Sequence, residues 1–270
     1  MDERTAALLA DEDARADMSA GEFDHEFLRA HLTDERRKAS LLGEVREAIF
    51  GAQDGLVSTL AVVSTVAGAT DERYVVLIAG IASALAGIFS MAAGEYIGSK
   101  SQREIFEAQI VDEREEVHER PGEAEAEVAF MFEEDGLPHD QAREVARMMA
   151  EHPDTLLKTM VEKELGLAIE EGYGSPLQGA LVMGAAFGLG SIAPILPHVF
   201  AEGMLAVLAS GALTLAVLFG IGVVKSRWTH RSWFASGIEI LAVGAVAGIA
   251  GYFFGSILPV LLGAPEAAAS

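Results

Sequence analysis

The 270-residue chain is 51% apolar with a mean hydropathy of +0.30, yet it carries 41 acidic against 19 basic side chains and a formal charge of −22. That charge excludes nucleic acid as a partner, because phosphate binding needs a basic surface; it suits a surface that concentrates cations, or simply a solvated one. With no cysteine, disulfides, zinc–thiolate sites and thiol catalysis are excluded as well.

Apolar and charged residues are segregated along the chain, which predicts an all-α integral membrane bundle with a polar helical insert. Residues 1–43 are an acidic extension without the basic start and short apolar core of a cleaved signal peptide. They supply at most one or two short helices. Residues 48–69 form the first run long enough to cross a hydrocarbon core of about 30 Å, which takes roughly 20 helical residues. The polar turn 70–73 follows, then a second run at 74–98, so residues 44–98 are two antiparallel spans. Residues 99–175 are the polar insert, and 176–270 hold the third to fifth spans, at about 176–199, 204–224 and 234–262. Pro194 and Pro197 kink or stop the third. Pairs of glycines four apart, Gly184/Gly188, Gly244/Gly248 and Gly251/Gly255, let helices approach closely.

The insert reads as four helices. The first continues the second span to Glu119 and stops at Arg120-Pro121; the second runs from Glu123 to Glu134 and ends at Asp135-Gly136. Pro138 suits the first turn of the third, and the fourth covers residues 153–171. Orientation follows from the basic residues beside the spans. Arg36, Arg37, Lys38, Arg46, Lys100, Arg103, Lys225, Arg227 and Arg231 fall on one side, and only Arg73 among the short loops on the other. The N-terminus and insert are thus expected in the cytoplasm and the C-terminus outside, a parity that five spans satisfy.

Asp54 lies about six residues inside the first span, roughly 9 Å deep at 1.5 Å per residue. An ionised carboxylate there is costly and marks an ion or proton pathway. Antiparallel pairing brings Met91 to similar depth, and Glu95 is one turn further on the same face. Met91 alone is more often a packing residue than a ligand, Glu95 reads equally as reaching the interface, and Glu239 reads as an interfacial carboxylate. In the insert, Glu113 and Glu116 are three apart, Glu123 and Glu127 four apart, and Met160 and Glu164 four apart. Each pair projects from one helical face. Carboxylates with a thioether favour a transition metal over magnesium or calcium, although an acidic helix produces such pairs as a solvated face too.

The stretches REAIFGAQDGLVSTLAVVSTVAGA (46–69), FSMAAGEYIGSKSQRE (89–104), EREEV (113–117) and TMVEKELGL (159–167) resemble the vacuolar iron transporter family of iron and manganese exporters. The resemblance covers residue 44 to the C-terminus. It implies a homodimer of five-span subunits in the lipid bilayer, exporting iron(II) or manganese(II) from the cytosol in exchange for protons, with no permanent cofactor and no enzymatic activity. It makes Asp54 and Met91 pathway residues with Glu95 in support, and Glu113, Glu116, Glu127, Met160 and Glu164 metal ligands. Two departures stand out: Ala124 where the family tends to have a glutamate, with Glu123 adjacent, and Val161 where it often has a second methionine. They imply fewer or more weakly held metals. The expected membrane is a prokaryotic plasma membrane.

Two other readings compete. Glu22-Phe-Asp-His25 and Glu115-Glu-Val-His118 match the Glu-x-x-His pairs of di-iron carboxylate bundles, which would make the protein a ferroxidase. A membrane-anchored metal sensor or store would need the insert alone, and leaves Asp54 and Met91 unexplained.

Overall fold

The computed structural model describes residues 23–166, 175–229 and 231–261. Among them every regular element is helical: α1 (His25–Ala69), α2 (Arg73–Glu119), α3 (Pro121–Glu134), α4 (His139–Ala150), α5 (Pro153–Lys163), α6 (Pro176–Ile195), α7 (Pro197–Phe200), α8 (Gly203–Thr229) and α9 (Trp233–Leu261). Helices α1, α2, α6, α8 and α9 are long and apolar enough to cross a membrane, and the protein is an integral membrane protein of five spans, as the hydropathy pattern predicts.

The start of α1 corrects the sequence reading. Instead of one or two short helices before the first span, residues from His25 onward form one uninterrupted helix of 45 residues. Asp24 caps it, accepting a hydrogen bond from the Phe27 amide at 2.7 Å. No proline interrupts the polar half, and Lys38 pairs with Asp34 one turn before it at 2.9 Å. Residues 1–22, Glu22 among them, lie outside the described residues.

The later breaks follow local chemistry. Helix α2 stops where Pro121 disfavours helical backbone at the preceding residue, and Pro121 itself opens α3. Pro138 stands just outside α4 as its N-cap rather than within its first turn. Helix α5 is shorter than expected: it closes at Lys163, the Glu164 amide donates to the Met160 carbonyl at 2.8 Å, and Gly166 has φ +65°. That positive φ is the left-handed conformation glycine adopts freely and that ends helices. Residues 167–171 of the expected helix lie outside the described residues, as does Leu262 at the end of the fifth span. The proline pair acts as predicted, with Pro194 in the last turn of α6 and Pro197 opening the single turn α7.

The chain divides into two compact units, residues 1–95 with 177–270, and residues 96–176. In the first, glycines let spans touch backbone to backbone. A Cβ on Gly55 would lie 2.2 Å from the Phe187 carbonyl oxygen, and one on Gly255 would lie 1.9 Å from that of Thr65. All three four-apart glycine pairs face neighbours within the subunit: Gly184 and Gly188 meet Ile88, Gly244 meets Leu218, Gly248 meets Leu60, and Gly251 meets Ala61. Buried hydroxyls find local partners. The Thr59 hydroxyl donates to Ser191 Oγ at 3.0 Å, and that of Ser210 to the Pro194 carbonyl at 2.7 Å.

The second unit is organised around a small apolar core of Val117, Ala124, Val128, Ala129, Ala146, Leu156, Leu157, Met160 and Val161. Lys163 closes it from outside, pairing with Asp135 and lying over the Phe132 ring at 4.5 Å.

Candidate functional site

The break at Pro121 turns α3 away from α2 and brings Glu116, at the end of one helix, beside Glu123 and Glu127 at the start of the next. One carboxylate oxygen of each lies within 4.8 Å of the others, the only such group of three among the described residues. Glu113, one turn before Glu116, and Glu164, at the C-cap of α5, are close enough for their charges to act on one another, and Glu164 also acts on Glu127. Three helices thus converge on one acidic cluster.

Electrostatically the cluster is unsatisfied. Burial, followed by the neighbouring Glu116, Glu164 and Glu123 charges, pushes Glu127 up to about 7. Burial, then Glu164, Glu116 and Asp112, raises Glu113 above the ordinary carboxylate range. Glu113 Oε2 and Glu116 Oε1 are buried without a hydrogen-bond partner. Arg120 is in contact with the cluster, reaching Glu116 at 2.7 Å and Glu123 at 2.8 Å. Repelling carboxylates with orphaned oxygens are relieved by a divalent cation, which accepts several oxygen ligands at once.

Of the insert residues singled out in the sequence, the structure gathers Glu113, Glu116, Glu123, Glu127 and Glu164. Met160 sits in the apolar core, fully buried. Ala124 and Val161 are fully buried in the same core, so the two positions that depart from the family pattern contribute packing.

In the membrane unit, Gly51 and Gly55 press α1 against the α6 backbone at Met183 and Phe187. Asp54 stands between them in sequence, half-buried. A Cβ on Gly80 of α2 would lie 2.9 Å from Val63 Cγ2 of α1. In an antiparallel pair that contact sets Asp54 level with a residue two positions before Met91. The two therefore differ in depth by roughly 3 Å. Met91 and Glu95 are half-buried as well. Glu239 pairs with Arg231 at 3.3 Å, both exposed.

The sequence reading passes over Glu47, which stands one residue outside the first apolar run. The structure places its carboxylate against Gly179 of α6, with Oε2 buried and unpartnered, and its charge and that of Glu95 act on one another. Beside it, Gln178 donates to Glu44 at 2.7 Å. The available signal was spacing: Glu47 is seven residues before Asp54, two turns along one helical face.

Of the di-iron pattern, Glu22 lies outside the described residues. Glu115 and His118 are exposed, and His118 Nδ1 lies 2.9 Å from the Arg114 carbonyl of its own helix.

A family model described as the VIT family matches residues 45–256, from the last turn before the first span almost to the end of the fifth. The chain belongs to the VIT family. Relatives align over most of their length. Vacuolar iron transporter 1 of Oryza sativa subsp. japonica is 30% identical over 88% of this chain and 91% of its own. Vacuolar iron transporter 1 of Arabidopsis thaliana is 32% identical over 79% and 86%, and the vacuolar iron transporter of Toxoplasma gondii 28% identical over 83% and 78%. The matched region of this VIT family member includes Glu47, Asp54, Met91, Glu95 and the acidic cluster of the insert, whereas Glu44 lies just outside it.

Proposed function

We propose that this protein is a transporter, not an enzyme, that carries iron(II), and manganese(II) second, out of the cytosol in exchange for protons, as a homodimer. The observation that carries this reading is the convergence of Glu116, Glu123 and Glu127 on one point, in a chain whose relatives are named iron transporters. Glu113 and Glu164 complete the collecting site in the insert, with Met160 as the core-facing residue beneath it. Glu47 and Glu95 form the cytosolic mouth of the membrane unit, and Met91 and Asp54 the pathway beyond it. A thioether beside carboxylates suits iron(II) or manganese(II) better than calcium.

The charge bias of the loops supports a cytosolic N-terminus and insert. The relatives are named for the vacuole, whereas we propose a prokaryotic plasma membrane for this chain; export from the cytosol is the same act in either. A store or sensor would need no acidic residue within a span, so Asp54 favours transport.

Purified protein in sealed liposomes, with iron(II), manganese(II), zinc(II) or calcium outside, tests the reading. Iron(II) uptake is expected, and Asp54→Ala should reduce it at least tenfold while metal binding in detergent persists. Absence of uptake of any metal by folded wild-type protein would reject transport.

A further inference from the structure

The mechanism so far uses one end of α1. At its other end, beyond Ala69, the 70–72 turn and the segment after α6 enclose a cavity of about 90 Å³, lined among others by Thr70, Asp71, Arg73, His198, Glu202 and Tyr252. His198 is held there by chain geometry. Pro194 and Pro197 end the third span, and the single turn α7 between the prolines and Ala201 turns His198 inward. The imidazole is only 3% exposed, and its Nε2 is buried with no hydrogen-bond partner. A buried ring nitrogen in that condition is costly unless something occupies the cavity beside it.

The rim is acidic. Asp71 and Glu202 line the cavity, Glu72 follows Asp71 in the turn, and Arg73 is the one basic group there, 3.4 Å from Glu202. Three carboxylates against one guanidinium leave a field that draws cations. An imidazole nitrogen with carboxylate oxygens is the donor set of a divalent transition metal. These side chains line one cavity without converging as Glu116, Glu123 and Glu127 do, and weak binding is what release requires.

We infer that His198, Asp71 and Glu202 form a low-affinity release site for the transported divalent metal at the extracytosolic mouth. The inference rests on the transport reading above. Asp71 lies 17 residues along the chain from Asp54, roughly 25 Å at helical rise, at the opposite end of the same span. Arg73, paired with Glu202, keeps the site from holding the ion too well.

The test uses the full chain in liposomes, following the initial rate of manganese(II) uptake with graded zinc(II) trapped inside. Zinc binds nitrogen and oxygen donors more tightly than manganese and so blocks the exit from within. For wild type, trapped zinc should inhibit. In His198→Gln, and separately in Asp71→Asn with Glu202→Gln, the zinc concentration for half-inhibition should rise at least fivefold. The maximal rate should fall severalfold, with the external manganese concentration for half-maximal uptake unchanged within twofold. Unchanged zinc inhibition in the variants overturns the inference, whatever the maximal rate does. Should His198→Gln misfold, the exposed Asp71/Glu202 pair decides alone. Loss of uptake in the wild type is a different failure, that of the transport reading, and takes the release site with it.

Discussion

Glu127 ties the insert to pH. Its carboxyl is pushed to about 7 by burial and by the charges around it, so a proton competes with the metal across the physiological range. Metal affinity of the detergent-solubilised protein should fall about tenfold per pH unit below 7, because one proton must leave for each ion bound; titration calorimetry at pH 5.5, 6.5 and 7.5 checks this. The linkage for folding runs the opposite way. A carboxyl whose folded pKa is raised above 4.5 stabilises the metal-free protein fully below 4.5 and loses that contribution as pH rises through 7. Chelator-treated protein should therefore melt lower at pH 8 than at pH 5.5, and manganese(II) should restore it. Arg120 acts on the same oxygens. Because its guanidinium holds Glu116 and Glu123, Arg120→Gln should tighten manganese(II) binding by a factor of about three to ten, the modest scale of exposed ion pairs. Weaker binding in that variant would make Arg120 an organiser of the site.

Among the elements, α1 carries the most varied features: a capped polar half, Glu47 against Gly179, Gly51 and Gly55 against the α6 backbone, and the turn that lines the far cavity. Its glycines differ accordingly. Gly55 touches the α6 backbone, whereas nothing lies within 4 Å of a Cβ on Gly43. Gly55→Ala should destabilise by about 1–3 kcal/mol through overpacking, and Gly43→Ala should stabilise by about 0.5–1 kcal/mol through helix propensity. Thermal melts in one detergent compare the two. The glycine motifs were legible in the sequence, but their partners were not: identical spacing serves a helix dimer or an intrasubunit contact, and only the positions of Ile88, Ala61 and Thr65 show which contacts the glycines make here.

At the level of the whole molecule, exchange of metal for protons predicts that an imposed pH gradient, acid inside the liposome, accelerates metal uptake, and that a protonophore removes the acceleration. Flux indifferent to the gradient would reject antiport while leaving transport intact. The proposed sites in the membrane unit and the insert differ in chemistry: Asp54 and Met91 at similar depth in the first, a denser carboxylate group in the second. Collection and passage are thereby separable by mutation, with Glu127→Gln expected to change the metal concentration for half-maximal flux and Asp54→Ala the maximal rate.

Five spans, the stop at Pro121, the turn at Asp135-Gly136 and the acidic pairs of the insert were determined by the sequence alone. Hydrophobic length, proline geometry and residue spacing act within a few turns of one segment, and no distant partner can override them. The uninterrupted α1 and the early end of α5 belong to the same local chemistry, in capping and glycine signals weaker than a proline. The tertiary structure decided what depends on residues far apart in the chain. It buried Ala124, Val161 and Met160 in one core, laid Glu47 on Gly179, and set His198 on one cavity with Asp71 and Glu202. Burial and convergence are properties of packed surfaces, and a one-dimensional pattern records which residues can face inward without recording what they will meet.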